Sequence, residues 1–126
     1  MVDVESFKTT IRGIINQMYR LGFFGDDFDK TVDSISPIKA EKIYSWVKNV
    51  CDDKITPLMK NLSNKKYKGI PLSNLMSFRK EIQISGNDHR IMLIKIKSSD
   101  YIEFHLGNHL YYDKLRKNLG LTAKDY

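Results

Sequence analysis

Between Lys65 and Asp113 the chain gathers the side chains able to hold an anion or move a proton. Lys65-Lys66-Tyr67-Lys68-Gly69 is a basic run with one aromatic. Such a run can grip a phosphate backbone while its tyrosine stacks on a base; a lysine-rich surface turn has the same composition. Further on come Arg79, Lys80 and Glu81, then Arg90, His105, His109 and Tyr112. His105 and His109 are four apart, but across a strand end and a Gly, with no third ligand nearby, which argues against zinc. Asp26, Asp27, Asp29 and Asp33 lack the alternate ligands, the sixth-position Gly and the distal Glu of a calcium loop. No metal is therefore expected, and no cofactor. The sequence has no phosphate-binding Gly-rich loop, nucleophile elbow or CxxC pair.

The elements that must position these groups are legible as three strands. Phe78 to Ile84, Arg90 to Lys97 and Tyr101 to Leu106 are separated by Ser85-Gly86-Asn87-Asp88 and Ser98-Ser99-Asp100, both turn-forming. Loops this short make the strands antiparallel, a meander. Alternation puts Arg79, Glu81 and Gln83 on one face of the first strand, and Phe78, Lys80, Ile82 and Ile84 on the other. On the third strand Tyr101, Glu103 and His105 oppose Ile102, Phe104 and Leu106. One side is packed and the other carries Arg, Glu and His, as a half-exposed sheet would in any case.

Before the sheet the chain reads as helical. Val4, Phe7, Ile11, Ile14, Ile15 and Met18 predict an amphipathic helix from Asp3, its N-cap, to about Leu21. Gly22-Phe23-Phe24-Gly25 predicts an aromatic corner, and the following aspartates a solvated loop with at most one helical turn. Ser36-Pro37 starts a helix with Ala40, Ile43, Val47 and Val50 as its stripe and Trp46 and Cys51 beside it. Thr56-Pro57 predicts a shorter helix or a kink, with Leu58 and Leu62 inward and Ser63-Asn64 as its end. After the sheet, Asn108 caps a short last helix with Leu110, Leu115 and Leu119 as its contacts, stopped by Gly120. The tail from Thr122 is expected to fray. The expected fold is α+β: one domain of 126 residues, with a helical half (1–64) packed on a small antiparallel sheet and a C-terminal helix (65–126).

Charge is unevenly placed. The net charge is +6; residues 1–59 hold eight Lys/Arg and nine Asp/Glu, residues 60–97 nine and two, and residues 98–126 four and four. The excess lies on the approach to the sheet and its first two strands, which suits a polyanion, a nucleic acid first. An acidic protein partner or a solubilising lysine face would use the same field. No run is apolar enough for a membrane span or signal peptide, and the single cysteine fits a reducing cytosol, so a cytoplasmic protein is expected.

The order helices, basic run, meander with Asp88-His89-Arg90-Ile91-Met92-Leu93-Ile94, and a strand ending near His109-Leu110-Tyr111-Tyr112 resembles the RelE/ParE superfamily of bacterial type II toxins over about residues 65–117. The chain departs from that pattern where the family opens with a strand before its helices: no such strand is read, and the N-terminal helical part is longer. The resemblance implies a metal-independent endoribonuclease acting on mRNA at the ribosome, in which the substrate's 2′-OH attacks the adjacent phosphorus. Such chemistry needs a base, cations around the phosphorane and an acid for the 5′-oxygen. On this reading Arg90 is the phosphate clamp with Arg79 as a second. His109 is the acid, Tyr112 a stacking group, and Glu81 or His105 the base. Lys65, Lys66, Tyr67, Lys68 and Lys80 hold the RNA. A cognate antitoxin, locally acidic, would lie across the basic groove. Two other readings fit the same residues: a ParE-like toxin binding a protein such as DNA gyrase, and a nucleic-acid-binding accessory protein. Convergence or dispersal of Glu81, Arg79, Arg90, His105 and His109 separates enzyme from binder.

Overall fold

A computed structural model describes residues 2–17, 19–96, 101–122 and 125. The element order is α1 (Val4–Ile15), β1 (Arg20–Phe24), α2 (Phe28–Val32), α3 (Pro37–Cys51), β2 (Leu58–Tyr67), β3 (Ile70–Ile84), β4 (Asn87–Ile96), β5 (Tyr101–Asn108) and α4 (His109–Asn118). The fold is α+β, with a five-stranded sheet in the order β1-β5-β4-β3-β2. β2 to β5 pair antiparallel in sequence order, and β1 lies parallel to β5.

The helix starts follow the sequence. Asp3 Oδ2 accepts from Ser6 N–H, Ser36 Oγ from Lys39 N–H and Asn108 Oδ1 from Tyr111 N–H, each satisfying an orphan amide of the first turn. Gly120, at φ +72°, ends the last helix in the left-handed region. α1 stops at Ile15, six residues short of the expected end, because Arg20–Phe24 is a strand. The supposed aromatic corner is thus β1, and the sheet is mixed, not purely antiparallel. The Asp-rich loop contains α2.

The segment after Thr56-Pro57 is strand β2, not a helix. Leu58 and Leu62 are four apart, a spacing that suits a helical stripe and two strand repeats equally. Pairing along β3 decides for the strand. β3 likewise begins at Ile70, eight residues before the expected Phe78. The basic run is therefore the end of β2 and a tight hairpin turn: Lys68 and Gly69 both take positive φ (51° and 79°), as do Ser85 and Gly86 (52° and 78°) at the next turn. The expected break at Ser98-Ser99-Asp100, with Lys97, lies outside the described residues, as does Met18.

Two apolar layers sandwich the sheet. On one face Phe7, Ile11 and Ile15 of α1 and Ile43, Val47 and Val50 of α3 cover Ile82, Ile91, Leu93, Ile102 and Phe104. Phe28 joins α1 to the sheet within this layer, 5.6 Å from the Phe7 ring and 5.4 Å from Phe104. Cys51 is buried there as packing, and burial raises its thiol pKa. On the other face Tyr112 and Leu115 of α4, with Leu119 at its C-cap, cover Leu75, Met92 and Ile94. Leu110, expected among these contacts, is 77 % exposed. Among the described residues β3 pairs with β4 from Leu75 onward, and Asn74 just before it has φ +56°. Beyond that bend the β2–β3 hairpin tip stands over the α4 face and reaches β5, two strands away. Among the described residues no helix is long and apolar enough to cross a membrane.

Candidate functional site

The polar face predicted for β5 is not solvated. Glu103 is fully buried and His105 is 3 % exposed, roofed by α4 and the β2–β3 turn. A buried carboxylate is costly without partners, and Glu103 has four. Oε1 accepts from Tyr67 Oη at 2.7 Å and lies 2.7 Å from His105 Nε2. Oε2 accepts from Lys68 Nζ at 2.9 Å and Tyr101 Oη at 2.8 Å. Burial pushes this carboxyl up, but the bonds from His105, Lys68, Tyr67 and Tyr101 outweigh it and hold the pKa down at about 2. Tyr67 and Tyr101 are pushed upward, first by burial and then by their bonds to the anion, so both stay neutral donors.

Because ionised Glu103 can only accept, Nε2 of His105 carries the hydrogen between them. With the ring in the tautomer that carries its hydrogen on Nε2 alone, Nδ1 is an acceptor, 2.6 Å from Tyr111 Oη. Tyr111 Oη in turn accepts from the Asp26 N–H at 3.2 Å. The chain Glu103, His105, Tyr111, Asp26 amide is thus consistent in direction throughout. Burial raises the Tyr111 hydroxyl most, the Asp26 N–H opposes, and the pKa is pushed up to about 12.

The local sequence makes room for this pair. A Cβ on Gly25 would overlap both Tyr111 Oη and His105 Nδ1, and one on Gly107 would lie 2.7 Å from the Tyr111 ring. Gly25 N–H also bonds Phe104 O at 2.9 Å, which fixes the β1–α2 loop beside β5.

His105 and Tyr111 open onto a cleft of about 760 Å³. Phe23, Asp26 and Asp27 form one wall, Lys66, Tyr67 and Lys68 the turn side, and Lys114, Leu115 and Asn118 the helix side. Lys68 Nζ sits 3.5 Å from the Phe23 ring centroid as well as on Glu103. Three ammonium groups, aromatic surface and a tyrosine hydroxyl bonded to His105 share this space.

The residues predicted from sequence divide. Arg79, Glu81, Arg90 and Tyr112 do come together, but on the β3 side of α4. Arg79 and Arg90 both pair with Glu81, the latter at 3.6 Å. Arg79 Nη1 donates to Tyr112 Oη at 3.4 Å, and both guanidinium groups lie over the Tyr112 ring, at 5.4 and 6.0 Å. His105 is on the β5 side, in the cleft. His109 is exposed at the start of α4, 3.1 Å from Asp113. Of the expected RNA-holding set, Lys66, Tyr67 and Lys68 line the cleft. Lys65 runs beside Gly120, and Lys80 opens on the opposite face, in a groove along α3. Sequence reasoning passed over Glu103 and Tyr111 as site residues. Their signal was the strict alternation Tyr101, Glu103, His105 followed six residues later by Tyr111, readable only once α4 is known to fold back over β5. Among the described residues no three His, Cys, Asp or Glu side chains are grouped to hold a metal ion. Asp29 instead pairs with Lys8 at 2.7 Å and Asp27 with Lys30 at 3.3 Å.

No family model, curated protein or solved structure matches the chain.

Proposed function

We propose that the protein is a metal-independent endoribonuclease of the RelE/ParE toxin kind, with its reacting groups in the Tyr111 cleft and a locally acidic antitoxin as its natural restraint in the cytoplasm. The observation that carries this reading is the relay from Tyr111 Oη through His105 to buried Glu103, opening between Lys66, Lys68 and Lys114. The topology also suits the resemblance: β1 precedes α2 and α3, supplying a strand before the helices, with α1 as an addition in front.

The chemistry follows from the donor order. Tyr111 takes the proton of the substrate's 2′-OH as its own passes to His105 Nδ1, and ionised Glu103 stabilises the imidazolium. The raised pKa of Tyr111 means the phenolate does not accumulate, so the two transfers are concerted. The 2′-oxygen bonds to phosphorus and the bond to the 5′-oxygen breaks. Lys68 and its neighbours neutralise the phosphorane, and an ammonium on the far wall, Lys66 or Lys114, protonates the leaving 5′-oxygen. The products are a 2′,3′-cyclic phosphate and a 5′-hydroxyl. Arg79 and Arg90, held by Glu81 and Tyr112, anchor α4 on this reading and do not touch the reacting phosphate.

One observation favours a second reading. The Arg/Glu/His set named from sequence is dispersed on two sides of α4, and α3 exposes Ile38 (73 %) beside a groove with Trp46, Lys42 and Lys80. Such a surface suits a ParE-like toxin that binds a protein. Induced expression of wild type beside Tyr111→Phe separates the readings, with soluble levels matched. Arrest by the wild type alone supports the nuclease, and equal arrest by both supports the binder. Absence of arrest by soluble wild type removes both toxin readings and leaves a nucleic-acid-binding accessory protein.

A further inference from the structure

The tyrosines on the sheet face under α4 end on different partners. The hydroxyls of Tyr67 and Tyr101 donate to Glu103, and that of Tyr112 accepts from Arg79. A carboxylate that already holds four donors is a weak base, and a guanidinium is none. Tyr111 Oη instead meets an imidazole nitrogen at 2.6 Å, and the other nitrogen of that ring is 2.7 Å from Glu103. The backbone N–H of Asp26 occupies one lone pair of Oη, which leaves its hydrogen for Nδ1 of His105. Hydroxyl, base and orienting carboxylate, each within hydrogen-bond reach of the next, are the parts of an activated nucleophile. Here the hydroxyl is a phenol, half-buried at the wall of the cleft.

The surroundings select the electrophile. Lys66 and Lys114 line the same cleft, both exposed, and among the described residues neither has an ion-pair or hydrogen-bond partner. Unpaired ammonium groups suit an anionic centre, a phosphodiester rather than a neutral acyl carbon. A ribonucleotide brings its own attacking oxygen, the 2′-OH. A phosphodiester without one does not, and the activated oxygen beside its phosphorus is then that of Tyr111. We propose that the cleft has a second activity, in which Tyr111 is the nucleophile toward phosphodiesters that lack a 2′-OH, such as a deoxyribonucleotide linkage, and is left as a phosphotyrosyl ester. This rests on the phosphate position of the nuclease reading but not on RNA as the substrate. Oη bonds to phosphorus as its proton passes to Nδ1 of His105. The bond from phosphorus to the 5′-oxygen breaks, and that oxygen leaves with a proton from Lys66 or Lys114.

Bis(4-nitrophenyl) phosphate tests the step on the full chain, because it has no 2′-OH and its 4-nitrophenolate leaves without an acid. Wild type is expected to release a burst of about one 4-nitrophenolate per chain. Its intact mass should rise by one 4-nitrophenyl phosphoryl group, which peptide fragmentation places on Tyr111. Tyr111→Phe should show neither burst nor adduct, and His105→Gln should form the adduct about 10²-fold more slowly, with the thermal midpoint of each variant recorded. The position of the adduct in the wild type decides without either variant. No adduct, an adduct on a lysine, or adduct formation by folded His105→Gln at the wild-type rate overturns the proposal. If RNA is nevertheless cut through Tyr111, the nuclease reading stands without it. An adduct on Tyr111 with RNA left intact supports the proposal and removes the nuclease reading, and neither adduct nor RNA cleavage removes both.

Discussion

The hydroxyl of Tyr111 lies 2.6 Å from Nδ1 of His105, while the next residue, Tyr112, sends its hydroxyl to Arg79 on the other side of the same helix. Neighbouring residues on a helix point about 100° apart, so α4 places one tyrosine in the cleft and the other in its anchor. On the proposed nuclease reading, that division separates reacting groups from supporting ones.

Glu103 links acid stability to the site. Its folded pKa, about 2, lies below the ordinary value of 4.5. A depressed carboxylate contributes stability that is present above about pH 4.5 and lost as pH falls toward 2. The shift corresponds to about 3 kcal/mol at most. Urea unfolding at pH 7 and pH 3 should show this loss in wild type. Glu103→Gln should be less stable at pH 7 yet lose much less between the two.

Lys68→Met should destabilise the fold by about 1–3 kcal/mol. Removing the partner of a buried charge costs more than that at full burial, and Lys68 is partly exposed. The same variant in the Glu103→Gln background should cost clearly less. Equal costs in both backgrounds, read from urea midpoints, would show that the pair is not coupled.

Gly25→Ala should disturb the relay directly, because the new methyl overlaps Tyr111 Oη and His105 Nδ1. The expected cost is about 1–3 kcal/mol, with a shift of the His105 ring resonances in NMR. An unchanged His105 environment would mean that the loop yields instead.

Arg90→Ala tests the residue the sequence favoured most as a phosphate clamp. In the structure its guanidinium lies over the Tyr112 ring of α4 and pairs with Glu81 of β3. Cleavage at saturating RNA should stay within about threefold of wild type, about 0.6 kcal/mol, while thermal stability falls. A hundredfold loss of turnover in the folded variant would return Arg90 to the reacting centre.

Much of this arrangement was legible in the sequence. Asp3, Ser36 and Asn108 marked helix starts because a capping side chain acts locally, within three residues. The alternation on β3 and β5 gave correct faces for Arg79, Glu81 and His105 because strand facing is a local property too. What escaped was non-local. β1 is five residues whose pairing partner, β5, lies some eighty residues on. β2 looked helical because Leu58 and Leu62 fit either period. The curl of the β2–β3 hairpin past Asn74, which carries Tyr67 and Lys68 to Glu103, depends on one left-handed backbone position. Without that curl Glu103 and His105 read as a solvated face, and the weight fell on Arg90 and His109.

The most direct test is to incubate purified protein with single-stranded RNA in the presence of EDTA, comparing wild type with Tyr111→Phe, a substitution that removes one oxygen from a packed ring. The mechanism predicts fragments ending in 2′,3′-cyclic phosphate and 5′-hydroxyl for the wild type, and cleavage slower by about 10²-fold or more in the variant, with the thermal midpoint little changed. Intact RNA with the wild type, or cleavage by folded Tyr111→Phe at the wild-type rate, would contradict it.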